Sequence, residues 1–236
     1  LPYRDQLTAK ERKDYPVQLR TGYTVKQSTK HWWVKDTEQP YTEKKGAFDW
    51  IRGYHVGGRS LLWGRQVYRW SKQDFEANAK EGVSIDWPIR YSDIEKWYDH
   101  VENFIGVSGM SEKLPQLPDG QFLPAMEMNC VEKDFRKNLF EKFGRTSTIG
   151  RVAHVTKSHN GRGPCQSRNL CIRGCPYGAY FSSNSSTLPA AEATGNMTLK
   201  PNSIVHSIIY DDDKEKATGV RVIDSETLEM TEYYAK

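Results

Sequence analysis

Three of the four cysteines fall in the run Cys165-Gln166-Ser167-Arg168-Asn169-Leu170-Cys171-Ile172-Arg173-Gly174-Cys175-Pro176. Three thiolates on a loop that carries Gly and Pro can converge on one soft metal centre, because thiolate suits iron-sulfur clusters and zinc and loop backbone can wrap the site. The spacing is not that of a zinc ribbon, which pairs Cys-x-x-Cys knuckles. Reduced thiols, or a disulfide between two of the three, are the plainer readings of the same residues. Cys130 stands apart and reads as a buried core thiol.

A second group of residues is defined by bare backbone. Gly53, Gly57, Gly58 and Gly64 crowd the run Phe48-Asp49-Trp50-Ile51-Arg52-Gly53-Tyr54-His55-Val56-Gly57-Gly58-Arg59-Ser60-Leu61-Leu62-Trp63-Gly64. The chain there must turn tightly or approach something closely. Glycine content alone leaves Gly57-Gly58-Arg59-Ser60 equally a structural turn. None of the six histidines has a partner at metal-ligand spacing except the loose pair His154 and His159. Ordinary surface or core roles are the default for all six, and His55, beside the glycine run, is the one to test. The seven tryptophans and thirteen tyrosines could stack on a sugar, but at this density they read as core.

The elements that must position these groups are unevenly marked. The first 47 residues alternate charged clusters with aromatics and read as irregular, partly helical structure. Ile94, Trp97, Tyr98, Val101 and Ile105 recur at helical spacing, with Ser92 and Glu95 as a capping box and Gly106 as the stop. Pro115, Pro118 and Pro124 make the stretch from about 107 to 129 a long irregular excursion. Phe135, Leu139 and Phe143 predict a second helix from about Val131 to Phe143, stopped by Gly144. Strands are expected at 197–199, 203–210 and 218–223, with a turn at Asp211-Asp212-Asp213-Lys214.

Composition sets the outer limits. The 236 residues suffice for one sizeable domain or two small ones. The 34 basic and 30 acidic residues are spread without a block of like charge, which argues against nucleic acid. Mean hydropathy is −0.76, polar for an enzyme, and no run approaches a membrane span. The start at Leu1-Pro2 and the end at Tyr233-Tyr234-Ala235-Lys236 read as cuts inside a longer protein.

The run Gly57-Gly58-Arg59-Ser60-Leu61-Leu62-Trp63-Gly64, followed by Arg69 and Asp74-Phe75, resembles the signature of the glucose-methanol-choline (GMC) oxidoreductases, where a Gly-Gly-x-Ser turn precedes a Trp-Gly pair. Asp86-Trp87-Pro88-Ile89-Arg90-Tyr91 and Val101-Glu102-Asn103-Phe104-Ile105-Gly106-Val107-Ser108-Gly109 are similar to further stretches of that family. So are Asn196-Met197-Thr198-Leu199, Val205 and Ala217-Thr218-Gly219-Val220, and the likeness covers about residues 48 to 236.

The resemblance implies an α+β fold: an incomplete FAD-binding domain plus part of the substrate or cap domain. Residues 1–64 would hold the flavin-contacting stretch, 65–160 the substrate or cap region, and 161–236 the Cys-rich loop and strands of the FAD-binding domain. It implies FAD contacts from Gly57, Gly58, Ser60, Leu62, Trp63 and Gly64, with Val205 offering backbone to the adenine. Leu62 stands where some sugar oxidases carry a flavin-linked His, so no covalent attachment is expected there. The cysteine loop resembles that of FAD-linked sugar and polyol dehydrogenases, implying an iron-sulfur cluster on Cys165, Cys171 and Cys175 and a cytochrome or small-subunit electron-transfer partner.

The family's Gly-x-Gly-x-x-Gly turn and its His-His or His-Asn base do not occur here, so no catalytic residue is assigned. The expected activity of the intact protein is oxidation of the CH-OH group of a sugar, polyol or other alcohol with hydride transfer to flavin, and a periplasmic location is expected. The fragment by itself would be inactive and bind little or no FAD. The rival readings are a non-catalytic carbohydrate- or protein-binding domain and a small domain stapled by zinc or a disulfide.

Overall fold

The computed structural model describes residues 2–23 and 25–235 and divides into two units, Leu1–Ala190 and Ala191–Lys236. It is a mixed α and β structure.

The first unit opens, as its sequence suggests, with short helical pieces: 3₁₀ turns at Pro2–Asp5, Glu11–Asp14 and Lys30–Trp32, and helix α1 (Pro16–Arg20). Proline at the first position of α1 is favourable, because its fixed φ suits the helix and no N–H is needed there. Leu7, Tyr15 and Val25 form a small buried cluster with Leu19 and Trp33 against it. Glu11 ties this region together, accepting from Lys30 Nζ at 2.6 Å and from the Thr8 N–H at 2.8 Å.

Helix α2 (Lys72–Glu81) went unmarked in the sequence because its only buried side chain is Phe75. Its start is fixed by Asp74, which accepts from both the N–H and the hydroxyl of Ser71 at 2.6 and 2.8 Å. Helix α3 (Tyr91–Ile105) begins two residues earlier than the expected Ser92 and Glu95 box would place it. The Arg90 N–H donates to Asp93 at 2.7 Å, so an aspartate two residues before Glu95 does that work. Gly106 ends α3 at φ 71, as expected.

The excursion from 107 to 129 contains no helix, only the two-residue parallel pair β1 (Ser108–Gly109) and β2 (Leu123–Pro124). Helix α4 (Cys130–Phe143) follows, and Gly144 ends it at φ 62. Its cap is Asn129, whose side chain accepts from Glu132 N at 3.0 Å while Glu132 accepts from Asn129 N at 2.8 Å. Cys130 is therefore the first residue of a solvent-facing helix and is exposed, which corrects the expectation of a buried thiol.

The site rests on an irregular crossing of short segments. Val67 N donates to Arg151 O, Ser108 N to Val152 O, Ala153 N to Arg65 O, Phe181 N to Ala153 O and Val155 N to Ala179 O, all within 2.9–3.0 Å. Ile105, Val107, Ala153 and Phe181 are buried at this crossing, with Trp63, Val67, Phe104 and Phe122 packed around them. Helix α5 (Thr187–Ala193) closes the helical part of the chain.

The second unit is an antiparallel meander of β3 (Ser203–Asp211), β4 (Lys216–Asp224) and β5 (Met230–Tyr234). The β3–β4 turn lies where expected, with the Lys214 N–H donating to Asp211 at 3.0 Å. Residues 197–199 are not a strand: they lie between Gly195, which follows α5, and Pro201, with no ladder partner among the described residues. Among the described residues no helix is long and apolar enough to cross a membrane.

Candidate functional site

The glycine run forms a tight 3₁₀ turn, Gly58–Leu61, entered through Gly57 at φ 97. Both Gly57 and Gly58 are in the left-handed region that side chains avoid. Their surroundings differ. A Cβ on Gly57 would stand 1.9 Å from Asn184 Oδ1, whereas one on Gly58 would meet nothing within 4 Å. Gly57 is thus fixed by its backbone, since φ 97 lies beyond the left-handed well that other residues visit and the exposed Asn184 side chain can swing aside, whereas Gly58, at φ 51, lies inside that well with open space beside it.

The turn is held from inside. The Ser60 hydroxyl donates to Gly57 O at 2.6 Å, and Ser183 N donates to Ser60 Oγ at 2.9 Å. Leu62 packs across Gly53, where an added Cβ would approach its Cδ1 to 2.8 Å. The Trp63 ring meets Phe181 edge-on at 5.9 Å. Arg65 completes the arrangement: Nε donates to Phe181 O at 2.7 Å, Nη2 to Ser60 O at 2.9 Å and Nη1 to Trp63 O.

Of the expected flavin-contacting residues, Gly57, Gly58, Ser60, Leu62, Trp63 and Gly64 therefore share one turn, with Ser60 and the Trp63 ring already engaged. Gly64 is exposed, and the nearest obstacle to a Cβ there is the flexible end of Gln66. Residues 61–65 also line a half-open cavity of 380 Å³ with Trp32, Trp33 and Tyr180. Val205 lies in the second unit, exposed on β3, where a register shift between Val205 and Ser207 interrupts the ladder. His55 is engaged with the His31 carbonyl and packs on Trp32 with ring centroids 5.1 Å apart.

Cys165, Cys171 and Cys175 line a second cavity, of 280 Å³, together with His154 and Tyr177. All three thiols are free, and the loop is anchored where Cys165 N donates to Val155 O at 3.0 Å. Burial pushes the Cys171 thiol up, with the other two thiols adding to the effect. The donor chemistry suits a soft metal, although among the described residues no three His, Cys, Asp or Glu side chains stand close enough to hold an ion as placed. His154 is held below the usual histidine range by burial first and then by Arg162 and Arg65. His159 instead bonds Asn103 O at 2.6 Å, away from that cavity.

Sequence reading missed Asn184 and Arg65 as neighbours of the glycine turn. Arg65 follows the Trp-Gly pair directly and was open to notice, whereas nothing local announces that Asn184 closes on Gly57.

The family model described as GMC oxidoreductase matches residues 40–236. The chain belongs to the GMC oxidoreductases. This FAD-binding family includes enzymes close enough to align through most of the present GMC chain. It is 27% identical over 173 residues to the fructose dehydrogenase large subunit of Gluconobacter japonicus, covering 72% of this chain and 31% of that protein. It is 24% identical over 248 residues to the 2-methyl-1,2-propanediol dehydrogenase of Mycolicibacterium austroafricanum, covering 92% and 44%. The paromamine 6'-oxidase of Streptomyces fradiae is 24% identical over 173 residues, covering 70% and 30%. The GMC chain thus spans less than half the length of these curated relatives.

Proposed function

We propose that this chain is the flavin-contacting and thiol-bearing part of a GMC dehydrogenase that oxidises a CH-OH group of a sugar, polyol or related alcohol. Bound FAD would supply hydride acceptance. Gly58 and Gly64 would admit it against bare backbone, Ser60 and Arg65 would hold the turn's shape, and Val205 would offer backbone to the adenine. Residues 65–160 would contribute to the substrate side, and 161–236 to the FAD-binding side.

The observation that carries this reading is the contrast within the glycine pair. Gly57 is explained by its φ of 97, which other residues avoid, while Gly58 lies at φ 51, where other residues also stand, and the space beside it is open to a ligand. The names of the relatives support alcohol-bearing substrates, since they include a sugar dehydrogenase, a diol dehydrogenase and an aminoglycoside oxidase. On the same reading Cys165, Cys171 and Cys175 would hold an iron-sulfur cluster that hands electrons to a cytochrome or small-subunit partner.

The test is to purify the complete protein that contains this chain, record its flavin absorption, and measure dye reduction with fructose, glucose, sorbitol and short diols. Flavin bleaching by one of these alcohols, weakened in Gly58→Val, supports the assignment. A protein that binds no flavin overturns it.

A further inference from the structure

The 380 Å³ cavity beside the glycine turn is lined from two stretches of chain. Residues 61–65 of the turn form one part, and Tyr23, Trp32 and Trp33 of the opening segment form another. The three aromatics precede residue 40, where the family match begins, so this part of the lining lies outside the shared family pattern.

Five of the lining residues are aromatic, since Trp63 and Tyr180 join those three. Their packing holds them in place. Tyr23 meets Trp33 edge-on with ring centroids 5.2 Å apart, Trp33 packs against the buried Leu7, Tyr15 and Val25, and Trp63 rests on Phe181. The cavity is therefore largely preformed, and its volume lies in the range of small-molecule sites, about 300–1,000 Å³.

Arg65 is the one charged side chain in the lining, and no Asp or Glu among the described residues lines it. Arg65 is 4% exposed and spends its N–H groups on the carbonyls of Phe181, Ser60 and Trp63. Those dipoles satisfy its donors but leave its positive charge standing. The indole N–H groups of Trp33 and Trp63 are also buried and have no acceptor among the described residues. An unmet buried donor is costly, and the hydroxyl oxygens of a ligand can supply what the protein does not.

We infer that this cavity seats the ring of a neutral sugar, its C–H face against the aromatic side chains, and that it rejects sugars bearing an amine. The inference rests on the function proposed above and narrows its substrate class to cyclic, uncharged members. Indole and phenol rings offer flat apolar area that a sugar ring covers and an open-chain diol does not. A desolvated guanidinium repels a substrate ammonium, and the repulsion grows where water is partly excluded.

The experiment uses the complete protein with its flavin. Dye reduction gives kcat and KM, and absorption gives flavin per protein, with fructose, glucose, glucosamine, sorbitol and propanediol as probes. Fructose or glucose is expected to show a KM about tenfold below those of sorbitol and propanediol, and a kcat/KM about tenfold above that of glucosamine. Trp32→Ala is expected to raise the sugar's KM about tenfold with kcat and flavin content nearly unchanged and the propanediol KM unmoved, and Trp32→Phe to restore most of the loss. Tyr23→Leu provides the same readout if Trp32→Ala does not fold. A sugar KM unmoved in these variants, glucosamine turned over as well as glucose, or loss of flavin at an unchanged sugar KM overturns the inference and leaves the flavin assignment standing. If the complete protein holds no flavin, the proposed function fails by itself. Quenching of its tryptophan fluorescence by glucose, lost in Trp32→Ala, would then still support the sugar site, and absence of quenching would overturn both.

Discussion

At the scale of single residues, the adjacent glycines Gly57 and Gly58 carry different duties and should fail differently. Gly57→Ala forces a side chain to φ 97, beyond the left-handed well, and should cost about 2–3 kcal/mol of stability in urea unfolding. Gly58→Ala carries only the backbone term, about 1 kcal/mol. In the complete protein it should nevertheless lower flavin occupancy more than Gly57→Ala does relative to its effect on stability. Equal losses of flavin per unit of stability would remove the distinction.

Glu11 offers a separate test by pH. Its carboxyl is lowered from 4.5 to about 2, chiefly by the hydrogen bond from Lys30 and then by Thr8. A depressed folded-state value means that the unfolded chain takes up the proton first. The stabilisation is therefore complete above pH 4.5 and is lost as pH falls through about 2. The stability difference between wild type and Glu11→Gln should shrink over that window, and should also shrink in high salt because the pair is partly exposed.

At the scale of elements, α3 is pinned to the segment that follows the glycine turn by one buried ion pair. Arg69 binds both oxygens of Glu102 at 3.0 and 2.6 Å, and Asp99 and Tyr91 complete its donors. Arg69→Met leaves Glu102 charged and buried, and should cost about 3–5 kcal/mol. Arg69→Met combined with Glu102→Leu should recover most of that loss in a double-mutant cycle. Asp74→Ala should cost α2 about 1 kcal/mol, read as loss of helical ellipticity and a lower urea midpoint.

What could be read from the sequence follows the same division. Helices α3 and α4 were legible because an apolar repeat ends at a glycine, and both stops stand where expected. Helix α2 was not, because a single buried Phe gives no period. Strands β3 and β4 were legible from β-branched runs, but Met197-Thr198-Leu199, a short apolar stretch, has no partner among the described residues, and pairing is a property of the whole sheet. The glycine turn and thiol loop were visible as clusters of type. The residues that give the turn its setting, Asn184 beside Gly57 and Arg65 on Phe181 O, are defined by contacts distant in sequence.

At the scale of the whole molecule, much apolar surface is uncovered. Val131, Phe135, Phe140 and Phe143 of α4 are all more than half exposed, as are Ile204, Val205 and Ile208 of β3. Large apolar side chains left exposed along one element mark faces that pack against something. The chain alone, expressed as residues 1–236, should therefore self-associate and show no flavin absorption band after purification with added FAD. A yellow, monodisperse product would contradict that expectation.

The crossing at Ala153 has a consequence for how such a chain matures. Arg65 and Phe181, which it brings side by side, are 116 positions apart, and Ser108 joins Val152 across 44. Contacts of such long range close late, after the ordering cost of the intervening loops has been met. During synthesis, the segment around Gly58 must wait unsupported until Phe181 and Ser183 have emerged from the ribosome. Slowing translation at any point before Phe181 and Ser183 have left the ribosome should accordingly lengthen the interval in which that stretch is open to proteases.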